Sequence, residues 1–438
     1  MSDELRKKLS RLGVRKGAAK PKPPPPSTQR VGHALHDVSA VLGGHEIETA
    51  NGPSWVIEEH CSIGYIHGSR PLADALELPA SVLAHLAYGD PGWGERDLSQ
   101  AAFVDTETSG LAGGTGTLAF LVGVGRFKIA NCKSPIANRK SQRAFEGEFQ
   151  ITQFFLRQPG EEAALLVALS EHVADCEVVV TFNGRGFDLP LLRTRFMLNR
   201  QAPALTVPHL DLLPPARRLW RTRLPSCALS SLESLVLGVQ RDQADVPGYL
   251  IPQLYFDYLN TGDASALPGV LYHNVQDILS MVTLATRLGS FFAAPLGEPA
   301  PDPCDLVSLA NWYDELGWPD RAETMLHAAL DRDAPLTVQA AAWHRLGFLF
   351  KRQERYEDAR QAWERLALTG QDITAHVELA KHYEWRAQEH DLGRALSWTQ
   401  AALERVETWS PGYPRDQVRD ELLHRQRRLE RKAKCDAP

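Results

Sequence analysis

The stretch "AAFVDTETSGLAGGTGTLAFLVGVG" (residues 101–125) decides how the rest of the chain is read. Two apolar runs flank a short acidic, glycine-rich insertion, and Asp105 and Glu107 stand where a buried strand would carry valine. Side chains alternate faces along a strand, so the two carboxylates point the same way, one pleat apart, and make one site. Two unpaired buried carboxylates are costly unless a cation neutralises them. The turn that follows, "SGLAGGTGT", is poor in side chains and would let a phosphodiester come close to backbone. Its "GTGT" lacks the lysine that a nucleotide-binding loop needs.

Working outward, residues 101–292 alternate strand-like segments ("AAFVDTET", "TLAFLVGVGRF", "GEFQITQFF", "CEVVVTF", "PHLDLL") with helix-like ones ("EEAALLVALSEHV", "LPLLRTRFML", "LSSLESLVLG", "VLYHNVQDILSMVTLATRL"). That alternation predicts an α/β domain. A second acid, Asp188 in "TFNGRGFDLPLLRTRF", follows a strand and a glycine turn and precedes a helix, where it could equally act as an N-cap. A third, Asp277, lies beside the apolar face of the last helix. At 100° per residue, His273 is about 40° from Asp277 around the axis and Tyr272 about 140° away, so His273 and Asp277 share a face. A solvated Asp–His pair would show the same spacing.

Taken together, D-x-E on a first strand, N-x4-D after a later strand, and His or Tyr just before an Asp on a closing helix resemble the DEDD-type 3′–5′ exonucleases of the ribonuclease-H-like superfamily. More closely, "VDTETSGLAGGTGTLAFLVGVG", "VTFNGRGFDLPLLRTRF", "HLDLLPPARRLW", "SCALSSLE" and "YHNVQDILSM" resemble the bacterial YprB-type family, over roughly residues 100–290. The resemblance implies a mixed central sheet flanked by helices. It also implies a two-metal site for Mg²⁺ or Mn²⁺, with Asp105 shared between the ions, Glu107 and Asp277 completing one and Asp188 holding the other. Hard oxygen donors suit those ions, and a pair about 4 Å apart can stabilise both oxygens of phosphodiester hydrolysis. The familiar subclasses place Tyr four, or His five, residues before the last Asp, whereas this chain has His273 at minus four and Tyr272 at minus five. His273 shares the face of Asp277 and is the expected group to orient or deprotonate water. Thr108, Asn183, Arg193, Arg218 and Tyr272 are the candidate substrate contacts. Arg195, Arg217, Arg221 and Arg223 belong to the same basic stretches, which could grip phosphates. His209 and Asp211 alternate on one strand and could form an outer pair, although a satisfied core histidine serves as well.

Beyond a proline-rich linker (293–304) the chain becomes helical and repeats. Leu306, Leu309, Ala310, Tyr313, Ala322, Leu326 and Ala329 recur in type 37 positions on, as Trp343, Leu346, Gly347, Phe350, Ala359, Trp363 and Leu366. A looser third unit carries Leu379, Ala380, Tyr383, Ala395 and Ala402. Small residues that admit close helix pairs, alternating with large ones that fill between hairpins, resemble tetratricopeptide repeats. Residues 305–434 are expected to form this all-α domain, closed by a charged capping helix whose basic residues face solvent. Residues 31–100 are expected to be an extension packing on the nuclease domain.

The 438 residues allow two or three domains, and 43% hydrophobic with 23% charged excludes a fibre or a disordered chain. The six cysteines lack CxxC spacing, which argues against a disulfide framework and a structural zinc site. Residues 1–30 carry nine Lys/Arg against two acids, so +7 there leaves −13 of the net −6 for the remainder. That Pro-rich arm reads as a disordered, solvated tail that could also attract nucleic acid. No apolar run approaches the roughly 20 residues that span a bilayer, which suggests a cytoplasmic protein without membrane contact. The expected partner is single-stranded RNA or DNA, with a protein partner on the repeats. The expected activity is metal-dependent 3′–5′ exonuclease. A catalytically inactive adaptor or a structure-specific endonuclease would share these motifs.

Overall fold

The computed structural model describes residues 38–88, 92–110, 116–129, 146–242, 245–297, 300–370, 372–386 and 390–435. The basic arm, residues 111–115 of the glycine-rich turn and Cys132 lie outside the described residues. Helix α1 (Val38–Leu42) leads into β1 (His45–Thr49) and β2 (Gly52–Ser62), then a small hairpin β3 (Ile66–His67) and β4 (Arg70–Pro71), and α2 (Ala80–Leu86). The acid-bearing strand β5 (Ala101–Thr108) follows, with β6 (Ala119–Ile129), β7 (Gly147–Phe155), α3 (Glu162–His172) and β8 (Val178–Thr181). Next come α4 (Asp188–Leu198), β9 (His209–Asp211), α5 (Leu213–Trp220), the short α6 (Leu229–Leu232), α7 (Ile251–Thr261) and the long α8 (Leu267–Ala293). A single π-helical turn, Glu233–Leu237, extends α6.

The main sheet runs β1-β2-β7-β6-β5-β8-β9, antiparallel as far as β5 and parallel from β5 through β8 to β9. The acid strand therefore sits at the junction of the antiparallel and parallel halves. Odd-numbered residues of β5 such as Phe103 face α8, with Phe127, Phe149, Ile278 and Val282. Even-numbered ones such as Val104 face α3, α4 and α7, with Leu165, Leu192 and Tyr255. Residues 38–88 contribute more than a packing extension, because β2 continues the sheet edge, paired with β7 from Trp55–Phe155 to Ser62–Glu148. Their strand character is masked in the sequence because Glu58, Glu59 and His60 lie in a row on the exposed end of β2.

Close approach of α8 to the sheet depends on Gly123, which pairs with Asp105 across β5 and β6. A Cβ there would lie 2.1 Å from Asn274 Oδ1 and 2.6 Å from Ile278 Cδ1. Only a residue without a side chain admits the helix at this level.

The helical repeats follow as α9 (Pro303–Glu315), α10 (Pro319–Leu330), α11 (Leu336–Arg352), α12 (Tyr356–Thr369), α13 (Thr374–Trp385), α14 (Leu392–Glu407) and the closing α15 (Tyr413–Cys435). The small and large residues at the 37-residue offset are buried, apart from half-buried Trp343. A Cβ on Gly347 would meet the Trp363 ring at 2.5 Å, so the small residue of α11 is what lets that indole fill the hairpin. The first repeat is fused to the sheet domain: Phe292, Trp312, Tyr313 and Trp318 form one aromatic cluster, and Tyr313 donates to the Phe292 carbonyl at 2.5 Å. At the far end the cap departs from expectation in part: Arg419, Arg427, Arg431 and Lys434 are exposed, but three other basic residues turn inward. Arg425, Arg428 and Lys432 of α15 converge on Glu384, whose side chain is fully buried, so they anchor the cap instead of facing solvent. Among the described residues no helix is long and apolar enough to cross a membrane, and Cys61, Cys176, Cys227 and Cys304 are free thiols.

Candidate active site

Asp105 and Glu107 project from β5 on the face covered by α8, where both are half-buried. Asp277 comes from α8 above them. Asp188 begins α4 on the other side of the sheet and reaches the end of β5 from there. It is not an N-cap: Phe187 holds that position and Asp188 is the first residue of the helix, its Oδ1 accepting from Thr106 Oγ1 at 2.5 Å. Thr106 is the even-numbered residue between the two odd-numbered acids, so the D-T-E triplet engages both faces of the sheet.

The electrostatics tie these groups together. Burial, then the charges of Asp277, Glu107 and Asp188, push the Asp105 carboxyl well above the carboxylate range, against the hydrogen bond from Asn274. Burial, then Asp277 and Asp188, push Glu107 up to about 8, with Arg241 opposing. Burial raises Asp188 to about 6, against the Thr106 hydrogen bond. Asp277 is also raised by burial, with Arg241 and His273 pulling the other way. Burial is the largest cause in all four, and at Asp105 and Glu107 the charges of the other acids add to it, so positive charge placed beside β5 would relieve them.

Part of that positive charge comes from Arg241, which sequence reading did not single out. It pairs with Asp277, with the buried Glu233 at 2.6 Å and with Asp245 at 3.4 Å. Glu233 also accepts from Ser280, which in turn contacts His67 Nε2 at 2.9 Å. Asp245 takes His273 Nδ1 at 2.7 Å, and the His273 Nε2 edge lies 3.8 Å from Asp277. Arg241 Nη1 also lies 3.2 Å from Nδ1, so that edge of the ring is shared between a carboxylate and a guanidinium while the Nε2 edge faces Asp277. Tyr272 points elsewhere, its hydroxyl 3.5 Å from the Asp242 backbone nitrogen. Asp105 is held by Asn274 Nδ2 at 2.8 Å, and Asn274 by the fully buried Gln153 at 2.8 Å. A cavity of about 380 Å³, lined by Arg241, Asp245, Gly248, His273 and Asp277, opens beside this cluster.

The donor chemistry suits a hard divalent ion, since every group is a carboxylate and burial disfavours the charged form of each. The side chains are not set as ligands, however. Asn274, Thr106 and Arg241 are hydrogen-bonded to Asp105, Asp188 and Asp277, and among the described residues no three His, Cys, Asp or Glu side chains are arranged to hold one metal ion.

The remaining candidates scatter. Thr108 donates to the Gly110 carbonyl at 3.0 Å and closes the end of β5. Asn183 adopts a left-handed backbone, φ 65°, in the turn after β8, and its N–H donates to Asp211 at 2.8 Å. Asp211 also receives the Arg185 and Leu213 N–H groups, while His209 bonds Thr181 at 2.8 Å. Arg193 is exposed. Arg195 is buried against Glu162 at 2.5 Å, and Arg223 clamps Asp305 at 2.8 Å, so neither is available to grip phosphate. Arg218 lies away from the acids, between Glu315 and the Trp312 ring.

Residues 102–289 match the family model RNase_H_2 of the RNase_H superfamily. The chain is also 32% identical over 306 residues to the uncharacterized protein YprB of Bacillus subtilis (strain 168), an alignment that spans 69% of this chain and 68% of that protein.

Proposed function

Because the chain belongs to the RNase H superfamily, in the family of Bacillus subtilis YprB, we propose that it is a metal-dependent nuclease that hydrolyses single-stranded nucleic acid from the 3′ end. The observation that carries the reading is that Asp105 and Glu107, buried on one strand, each feel the charges of Asp188 and Asp277, two acids brought in from distant parts of the chain. A folded chain has no structural reason to assemble such a group without cations to bind. In this reading Asp105, Glu107 and Asp277 would hold one Mg²⁺ or Mn²⁺, and Asp105 with Asp188 would hold a second. Bound there, the ions would supply Lewis-acid stabilisation of the attacking and leaving oxygens.

The protein's own groups have distinct tasks. Gln153 and Asn274 fix the Asp105 carboxylate. Asp245 holds the His273 ring so that Nε2 can accept the proton of an attacking water. The adjoining cavity of about 380 Å³ suits the terminal nucleotide. Thr108, Asn183, Arg193 and Tyr272 remain substrate contacts only if the strand approaches along the β5 and β8 ends.

The test is incubation of single-stranded RNA and DNA, labelled at either end, with Mg²⁺ or Mn²⁺. Expected are stepwise shortening from the 3′ end, abolition by chelator, and at least a hundredfold loss in Asp105→Asn, in the range seen when one charge-stabilising group is removed. Metal-independent cleavage, or full activity in Asp105→Asn, would refute it. The Arg241–Asp277 pair favours a second reading, an adaptor in which arginine has replaced metal. Absence of cleavage together with a partner retained on the repeats would select that one.

A further inference from the structure

A second charged site lies where the sheet domain meets the repeats. A cavity of about 500 Å³ opens between α5, α9 and α11 and is lined by Arg217, Arg218, Arg221, Arg345, Ser308 and Asn311. Four guanidinium groups face it against one lining carboxylate, Glu315, which is spent on Arg218. Arg217, Arg221 and Arg345 are exposed, and among the described residues their guanidinium groups make no hydrogen bond or ion pair. Ser308 is 7% exposed, yet its hydroxyl has no partner among the described residues, and neither has the half-buried Asn311 amide. Elsewhere in the repeats Arg352, Arg355 and Arg360 each close on an acid. Here a chain whose residues after 30 sum to −13 concentrates unpaired positive charge, together with neutral donors, in one concavity. Like charges held in a cleft repel each other and raise the local concentration of anions.

We propose that this cavity binds the phosphodiester backbone of single-stranded nucleic acid. The fork of an arginine matches two phosphate oxygens at once, and a hydroxyl and an amide beside it donate to the same group. The donors come from three helices across about 500 Å³, a space wider than one phosphate fills, which favours a ligand bearing several phosphates in series. The cavity engages backbone only, so it reads no sequence and serves as an anchor remote from the acids. The inference rests on the nuclease reading in that the anchored strand is the substrate.

The experiment measures fluorescence anisotropy of a labelled single-stranded oligonucleotide with the full chain, in chelator to prevent cleavage, over a series of salt concentrations. In the triple variant Arg217→Gln/Arg221→Gln/Arg345→Gln, affinity should fall at least about tenfold. The slope of log K against log[salt] should fall by roughly 2, since each lost phosphate contact removes about 0.7. Arg345→Gln alone should give part of both changes, and the melting temperature should not fall, because these guanidinium groups hold no acid among the described residues and their removal relieves repulsion. Wild-type affinity and slope in the triple variant would overturn the proposal, as would equal competition by polyglutamate, which would mark the site as one for acidic peptides. Weakened binding by the variant in a protein that cleaves nothing would keep this site and reject the nuclease. Cleavage with unaltered binding would do the reverse.

Discussion

Glu107 shows what four gathered acids cost a chain without metal. Its folded carboxyl titrates near 8, above the ordinary 4.5, because burial and the Asp277 and Asp188 charges penalise ionisation. The folded state then keeps a proton that the unfolded chain releases, so this contribution to stability is full below about 4.5 and is lost as pH climbs through 8. Asp188, raised to about 6, adds to the loss over the lower part of that window. In chelator the protein should therefore melt at a lower temperature at pH 8 than at pH 5, and Glu107→Gln should flatten the decline; an unchanged decline in the variant would contradict the assignment. Arg241 is the complementary case. It neutralises Asp277 and the buried Glu233 together, so Arg241→Gln should destabilise the metal-free protein by about 3–5 kcal/mol, the range for breaking a buried pair. The same variant should gain a larger Mn²⁺-induced rise in melting temperature than wild type, because the ion no longer competes with arginine for Asp277. A smaller rise would show that arginine and ion do not share that carboxylate.

Among the elements, β5, β6 and α8 act as one unit because of Gly123. Gly123→Ala drives a methyl into Asn274 and Ile278, so it should cost about 1–3 kcal/mol in urea unfolding. It should also weaken divalent-ion binding by displacing the amide that holds Asp105, and a variant as stable as wild type would refute the close packing. Strand β5 was legible in the sequence because its acids interrupt an otherwise apolar run, and α8 because its apolar face persists over many turns. Gln153, Asn274, Arg241 and Asp245 were not, for a physical reason. A buried amide in a strand or a loop arginine has no periodicity of its own, and its partner becomes known only when distant elements pack. Gln153 left the one faint signal, a polar residue in the apolar end of "QITQFF". The strands β1 and β2 escaped notice because half of β2 is solvated, whereas the repeats were plain from the 37-residue recurrence of small and large residues, all of which found their places in hairpin cores except half-buried Trp343.

For the molecule as a whole, the sheet domain and the repeats share one continuous apolar core through Phe292, Trp312 and Tyr313, with the acids at one location and the arginine-lined cavity at another. The central claim is that Asp105, Glu107, Asp188 and Asp277 work together only when divalent ions draw them in. The most direct measurement is anomalous scattering from crystals grown in Mn²⁺. The account predicts manganese peaks within coordination distance of these four carboxylates, with the Arg241 guanidinium withdrawn from Asp277. Crystals equally rich in Mn²⁺ that show no peak there, and that keep Arg241 on Asp277, would contradict it.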